Sequence, residues 1–291
     1  MALGALFHRN LVLGASLSGG QWTGLDNLKT VRLLSEPASC SAPADPAASQ
    51  FLIDFGRREL LSGVILTATT IPRQGTLRFV AGETPTVAGD GTVSMAEVTF
   101  DSGTIDAFQR LYATASLAWE DPNFWDGKPD DALLDRYGRQ VIKVFDQLVS
   151  TRYLAVYLDT LGGAELDLGH LFCARAFVPE WNYAWGRRLT REDRTQTDVT
   201  PGGVRLHQEQ PGWRSASVTW PALSEAEAGA LYDVWTRNGR VRPVVFVPDS
   251  EDLKQIFREA FLANIMSHSS RENSDQTGEW TVTLELQEVI G

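Results

Sequence analysis

Cysteine is scarce in this chain of 291 residues, with Cys40 and Cys173 the only two. They lack the short paired spacing of a zinc or iron–sulfur site. Nothing in the sequence joins them, so free, half-buried thiols are expected. The four histidines, His8, His170, His207 and His268, show no i, i+4 pair and no H-E-x-x-H pattern. Positive charge is short as well: 26 Lys and Arg face 37 Asp and Glu, for a net charge of −11. That balance argues against a nucleic-acid partner, whose phosphates call for clustered cations. No apolar run approaches the roughly 20 residues of a membrane span. The nucleophile elbow G-x-S-x-G is missing, the nearest string being "GASLSGG" at 14–20, and so are a Walker loop and a G-x-G-x-x-G opening a helix. The expectation is a protein with no catalytic residue, no metal site and no cofactor: not an enzyme.

What is present is mostly strand. "FLIDF" (51–55), "LSGVILTATT" (61–70), "GTLRFVAG" (75–82) and "RYLAVYLDT" (152–160) are rich in β-branched, aromatic and aliphatic residues, and Gly, Pro and Asp clusters separate them. In the last of these, Leu154, Val156 and Leu158 alternate with Tyr153, Ala155 and Tyr157. Many short strands with polar turns predict a sandwich or barrel. Between them, 119–149 mixes aromatics with Asp, Pro and Gly and reads as a long ordered loop with a short helix near 131–136.

The character changes after Pro179. Residues 179–203 combine Trp181, Tyr183 and Trp185 with a dense charge run and read as a linker or extended arm. Beyond it, "SEAEAGALYDVWTRNG" carries full helix punctuation. Ser224 and Glu227 have capping-box spacing, Leu231, Val234 and Trp235 form an apolar stripe, and Gly239 stands at the C-cap. In "WTVTLELQ", Trp280, Val282, Leu284 and Leu286 share one face. The fold class expected is mainly β: a jelly-roll β-sandwich over 1–178, a linker or arm over 179–203, and an α+β domain with one helix on a sheet over 204–291.

Acids are frequent in the 119–149 loop, where Asp121, Asp126, Asp130, Asp131 and Asp135 read as turn and cap residues. Asp54 and Asp167, each two places before a glycine, read as strand-end turns. The aromatics Trp22, Trp119, Phe124 and Trp125 lie in polar loop contexts. Two uses stay open for them: stacking on a sugar ring, or plugging the sandwich mouth or a subunit interface, where Trp is enriched. They are the candidate ligand-binding residues. Trp181, Tyr183 and Trp185, at every second position, are the candidate interface residues, because such an arm lies as a strand against a neighbour. The opening "MALGALFHRNLVLGASL" lacks a basic leader, so assembly in a reducing cytoplasm is the expectation.

Two resemblances add to this. The segments "LSGGQWTGLDNLKT", "FLIDFGRRELLSGVIL" and "STRYLAVYLD" resemble a discoidin-type galactose-binding jelly roll, through Trp22, Asn27-Leu28, Asp54-Phe55-Gly56 and Arg152-Tyr153. That likeness spans residues 8–177 and implies a fold used for glycan or lipid binding or as a scaffold. The run "WRSASVTWPALSEAEAGALYDVW", then "GRVRPVVFVPD" and "GEWTVTLELQEVIG", is similar to C-terminal regions of tail proteins of tailed bacteriophages, over 204–291. It implies a virion protein: a structural subunit of a tail tip or baseplate, assembled in the host cytoplasm. Its partners would be other tail proteins and copies of itself, and its sandwich would face a host-surface glycan. The alternative is a carbohydrate-binding adhesion module.

Overall fold

A computed structural model describes residues 4–31, 35–162, 165–184, 187–210, 212–268, 272–273 and 279–290. The chain is mainly β and forms two compact units, one of residues 9–176 and one of residues 1–8 with 177–290. The division falls at Ala176/Phe177 rather than at Pro179. It also assigns the first strand, β1 (Ala5–Phe7), to the C-terminal unit.

Unit 9–176 is an antiparallel β-sandwich. Its strands are β2 (Ser16–Ser18), β3 (Trp22–Thr23), β4 (Ala38–Cys40), β5 (Phe51–Thr69), β6 (Thr76–Val87), β7 (Val93–Asp101), β8 (Ile105–Asp106), β9 (Val141–Asp159) and β10 (Leu166–Ala174). The hydrogen-bonded order is β3-β4-β10-β5-β9-β6-β7, with β2 on β5 and β8 on β6. Two strands of 19 residues organise it. β5 pairs with β2 through Leu52–Asp54 and with β10 through Gly63–Thr69, while β9 follows it along nearly its whole length. Between these halves the register jumps from Asp54↔Tyr153 to Glu59↔Thr151, so β5 bulges at 55–58.

That bulge explains the acid in "FLIDFG". The Asp54 carboxylate accepts from the Gly56 N–H at 2.8 Å and from Arg152 Nε and Nη2 at 2.8 and 3.0 Å. Gly56 supplies the positive φ of +74°. The Arg152 hydrogen bonds hold the Asp54 carboxyl below its ordinary value. Asp167 is equally structural, accepting from Ser39 Oγ at 2.5 Å while its N–H donates to Thr70 Oγ1. Asp54 makes the turn its spacing predicts, whereas Asp167, also read as a strand-end turn, lies within β10 opposite Ser39, and Gly169 continues that strand. The arginine clamp on Asp54 comes from 98 residues away.

The alternation in β9 becomes two packed faces. Leu154, Val156 and Leu158 are fully buried. On the other side Tyr153 and Tyr157 pack over a small cluster of Leu52, Val80, Val93 and Ala155. Both cysteines are free and wholly buried, a correction to the half-buried thiols expected. Burial pushes both thiols up. His170 is 1% exposed, enclosed by β10 and the 3-10 turn Leu25–Lys29, with the backbone of Leu28 and Thr30 beside its ring. Burial pushes its pKa down to about 4.

The second unit is an α+β sheet. After β11 (Ala176–Phe177) come β12 (Arg188–Glu192), β13 (Gln196–Val199), β14 (Arg205–Gln208), β15 (Trp213–Leu223), β16 (Val244–Val247), β17 (Phe261–His268), β18 (Glu272–Asn273) and β19 (Trp280–Glu288). Its order is β11-β1-β16-β17-β19-β15-β12, with β18 on β19. α2 (Glu225–Asn238), which follows the short α1 (Asp131–Arg136) of the sandwich unit, lies on this sheet. Ser224 and Glu227 complete the capping box, and Gly239, at φ +50°, ends the helix. Ala228, Leu231 and Val234 of α2 pack with Trp220, Phe246, Phe261, Leu284 and Leu286. At about 1.5–3 kcal/mol for each large apolar side chain buried, this face holds the helix in place. α3 (Leu253–Glu259) follows β16.

The stretch read as a linker carries strands. β12 pairs along β15 from Arg188↔Ser217 to Glu192↔Trp213. β13 and β14 form a hairpin of their own, from Gln196↔Gln208 to Val199↔Arg205. Charged residues filled this stretch because every residue of the hairpin strands is exposed, so no apolar alternation was needed.

Candidate functional site

The loop between β8 and β9 is tied down along its length. It is a succession of turns. The Asp121 N–H bonds Ala118 O, the Phe124 N–H bonds Asp121 O, and the Gly127 N–H bonds Asn123 O. Leu111 and Tyr112 both donate to Gly127 O at 2.9 Å. Gly127 has φ +62°, and a Cβ there would meet Tyr112 O at 2.4 Å, so only glycine fits.

A clasp from the 70–75 turn holds the loop from the other side. Arg73 Nη2 donates to Pro122 O at 3.2 Å and pairs with Asp126 at 3.2 Å. Gln74 Nε2 donates to Asp126 Oδ2 at 2.7 Å, and the Lys128 N–H donates to Asp126 Oδ1. Lys128 is buried, with its Nζ 3.2 Å from Asp106. Burial works to raise the Asp126 carboxyl. Hydrogen bonds from Lys128 N–H and Gln74, with the charges of Arg73 and Lys128, outweigh it and leave the group below its ordinary value.

The other acids of the segment are engaged in the same way. Asp121 accepts from the Ala118 N–H, Asp130 caps α1 at the Leu133 N–H, and Asp131 and Asp135 both bind Arg139. Asp121 and Asp130 do the turn and cap work their pattern predicts, while Asp131 and Asp135, read the same way, are spent on an arginine.

What this rigid loop presents is aromatic. Trp125 is 87% exposed, and its ring stands at 5.1 Å and 87° to that of half-buried Phe124. Trp119 is 76% exposed on the same segment. An indole face held out in water by a stapled loop suits flat apolar contact: a pyranose face, or a partner's apolar side chain. The fourth candidate, Trp22, is used differently. Its Nε1 donates to Gln50 O at 3.3 Å, and its ring meets Phe51 edge-on at 5.8 Å. The structure thus joins Phe124 to Trp125 and ties Trp22 into the sandwich body.

Of the candidate interface residues, Trp181 is 66% exposed. Tyr183 packs on its own unit: its ring meets Phe246 at 5.9 Å, its hydroxyl donates to Pro248 O at 3.1 Å, and Arg187 lies over the ring. Trp185 lies outside the described residues. Sequence reading missed the Arg73–Gln74 clasp, because nothing local to "PRQG" points to a loop fifty residues on. It also missed the hairpin, whose one local signal is "TPGGV" between two short polar runs.

No protein-family model and no curated protein matches the chain. Among solved structures, it is similar to a family 32 carbohydrate-binding module from a family 31 glycoside hydrolase of Clostridium perfringens. The identity is 13%, covering 58% of this chain and 99% of that one, with a TM-score of 0.34. A second family 32 module from C. perfringens, NanJ in complex with galactose, is 11% identical over 60% of this chain and all of that one, at 0.32. The tail of an empty GTA particle, refined with C6 symmetry, is 16% identical over 38% of this chain and 78% of that one, at 0.25.

Proposed function

We propose that this chain is a non-catalytic carbohydrate-capture protein whose β-sandwich binds through the 118–128 loop. The observation that carries this reading is Trp125, 87% exposed on a loop whose turns and carboxylates are already bound. Single exposed apolar side chains are ordinary, but Trp125, Phe124 and Trp119 gather on one segment, and grouped exposed aromatics mark interaction sites. A loop that does not have to be ordered on binding keeps more of the contact energy as affinity. Trp125 and Phe124 form the stacking surface, and Trp119 extends it. The test is retention of the full chain on immobilised polysaccharides with galactose, fucose or N-acetylglucosamine ends. Retention by the native chain and at least a tenfold loss for Trp125→Ala, about 1.4 kcal/mol, is the expected result. Equal retention of the two proteins, or none by either, overturns it.

A second reading is favoured by a separate observation. All eight strand residues of the β13–β14 hairpin are exposed, among them Val199 at 63% and Leu206 at 56%. A lone two-stranded hairpin is marginal in water, so a neighbouring chain is its natural support. This supports an assembly role for the C-terminal unit, as a structural subunit of a phage tail tip or baseplate with the sandwich as its attachment module. Removing residues 196–208 would then abolish incorporation into particles, read by electron microscopy. Unchanged incorporation ends this reading.

A further inference from the structure

The C-terminal unit is electrically polar along α2. At the helix C-terminal end, Arg237, Arg240 and Arg242 are exposed within six residues, and no carboxylate pairs with them among the described residues. Arg240 Nε donates to Met266 O at 3.0 Å, which sets its guanidinium beside an aromatic cluster. There His268 stacks on Trp235 at 6.1 Å and meets Tyr232 edge-on at 5.9 Å. Tyr232 is 51% exposed and Val241 86%. The one nearby acid on this stretch of helix is Asp233, which is exposed.

The opposite end is acidic. The Glu180 N–H donates to the Glu227 carboxylate in the first turn of α2, which places the exposed Trp181 at that end. Asn182 accepts from the Gly4 N–H, and Tyr183 donates to Pro248 O, so the 249–252 turn lies there too. That turn adds Asp249, exposed Glu251 and Asp252, against the exposed cations Lys254 and Arg258 of α3. The strand ladder confirms the polarity: β1 and β16 are antiparallel, so Gly4 neighbours the end of β16, while His8, at its start, accepts from Asn238 at the helix C-terminus.

Fourteen helical residues separate the two ends, about 20 Å. That exceeds two screening lengths of roughly 8 Å at physiological salt. The ends cannot neutralise each other within one chain, and they complement each other between chains. Trp, Tyr and Arg are the side chains that most often dominate interfaces.

We infer that the protein associates with itself head to tail, the Trp181–Glu251 end of one copy seating on the Arg240–Val241–Tyr232 end of the next. The indole lies among guanidinium groups and exposed apolar side chains, and Glu180 and Glu251 face Arg240 and Arg242. Such a contact is heterologous: it repeats from copy to copy and closes into a ring or runs on as a fibre. The inference deepens the assembly reading above, on which it rests, by naming the partner and both faces.

The test uses the full chain and two variants with exposed substitutions, R240E/R242E and W181A/E251K, in sedimentation velocity at low ionic strength. Circular dichroism checks that both stay folded. The native protein is expected to grow beyond the monomer with concentration and to shrink back at high salt. Each variant alone is expected to stay monomeric, its self-association weakened by roughly a hundredfold or more. An equimolar mixture restores one intact pair of faces, so it associates where neither variant does alone. A native protein that is monomeric at every concentration overturns both this inference and the assembly reading. Native assembly that survives in both variants, or a mixture that stays monomeric, overturns the head-to-tail contact alone.

Discussion

The loop at 118–128 and the hairpin at 196–208 are surface segments of similar length, yet among the described residues the side-chain ties to the rest of the unit belong to the first. The loop has an arginine–glutamine clasp, a buried lysine and a glycine that admits no side chain. The hairpin has its own ladder, a turn closed by Thr200 and Val204, and a Thr197–His207 contact. Rigid display and unsupported extension answer different needs. A small ligand gains from a surface already ordered. A strand pair with exposed Val and Leu is completed by another protein surface. The proposed function gives one unit a ligand to receive and the other neighbours to join.

The largest test of that contrast is acid. His170 is buried uncharged, with its pKa lowered to about 4 against an ordinary 6.5. The unfolded chain therefore binds the extra proton first. The stability contributed by the neutral ring is complete above about pH 6.5, drains as the pH falls, and is gone below about pH 4. The loss is roughly 3 kcal/mol and confined to the sandwich. Urea unfolding across this range should show the sandwich transition weakening while the α+β transition moves less, and His170→Leu should flatten the slope. A slope unchanged in that variant would remove His170 as its source. Next comes Gly127→Val, expected to cost about 2 kcal/mol, because it forces a β-branched residue to φ +62° against a backbone oxygen. Arg73→Ala should cost about 1 kcal/mol by releasing the clasp, and polarised tryptophan fluorescence should show Trp125 freed. The smallest effect belongs to the hairpin: replacing 196–208 by a short glycine link should change monomer stability by less than about 0.5 kcal/mol. A cost as large as that of Gly127→Val would mean that the hairpin, too, is held by its own chain.

Legibility in the sequence followed the range of the interactions. α2 was readable because its signals are local: Ser224, Glu227, the Leu231–Val234 stripe and Gly239 lie within sixteen residues. β19 was readable because one of its faces is buried, and the second half of β9 because its two packed faces differ, aliphatic on one side and carrying the tyrosines on the other, which writes a period of two in each. The turn role of Asp54 was readable from Gly56, but its bidentate arginine was not. β1 was out of reach, since "ALF" has no local mark of a partner at 245–247. Tyr183 shows the limit on sites. An aromatic in a charged stretch reads as an exposed contact, and its packing against Phe246 depends on a strand more than sixty residues later.

β1 has one further consequence. Its partner β16 lies more than two hundred residues downstream, and the whole sandwich is threaded between them. The gene therefore carries the sandwich as an insert, bracketed by two pieces of a single host sheet. An expression fragment that begins after residue 176 leaves Val245 and Val247 as a bare edge prone to sticking. A chimera that swaps residues 9–176 for another sandwich through the two junctions at 8/9 and 176/177 keeps that edge covered and leaves the host sheet whole.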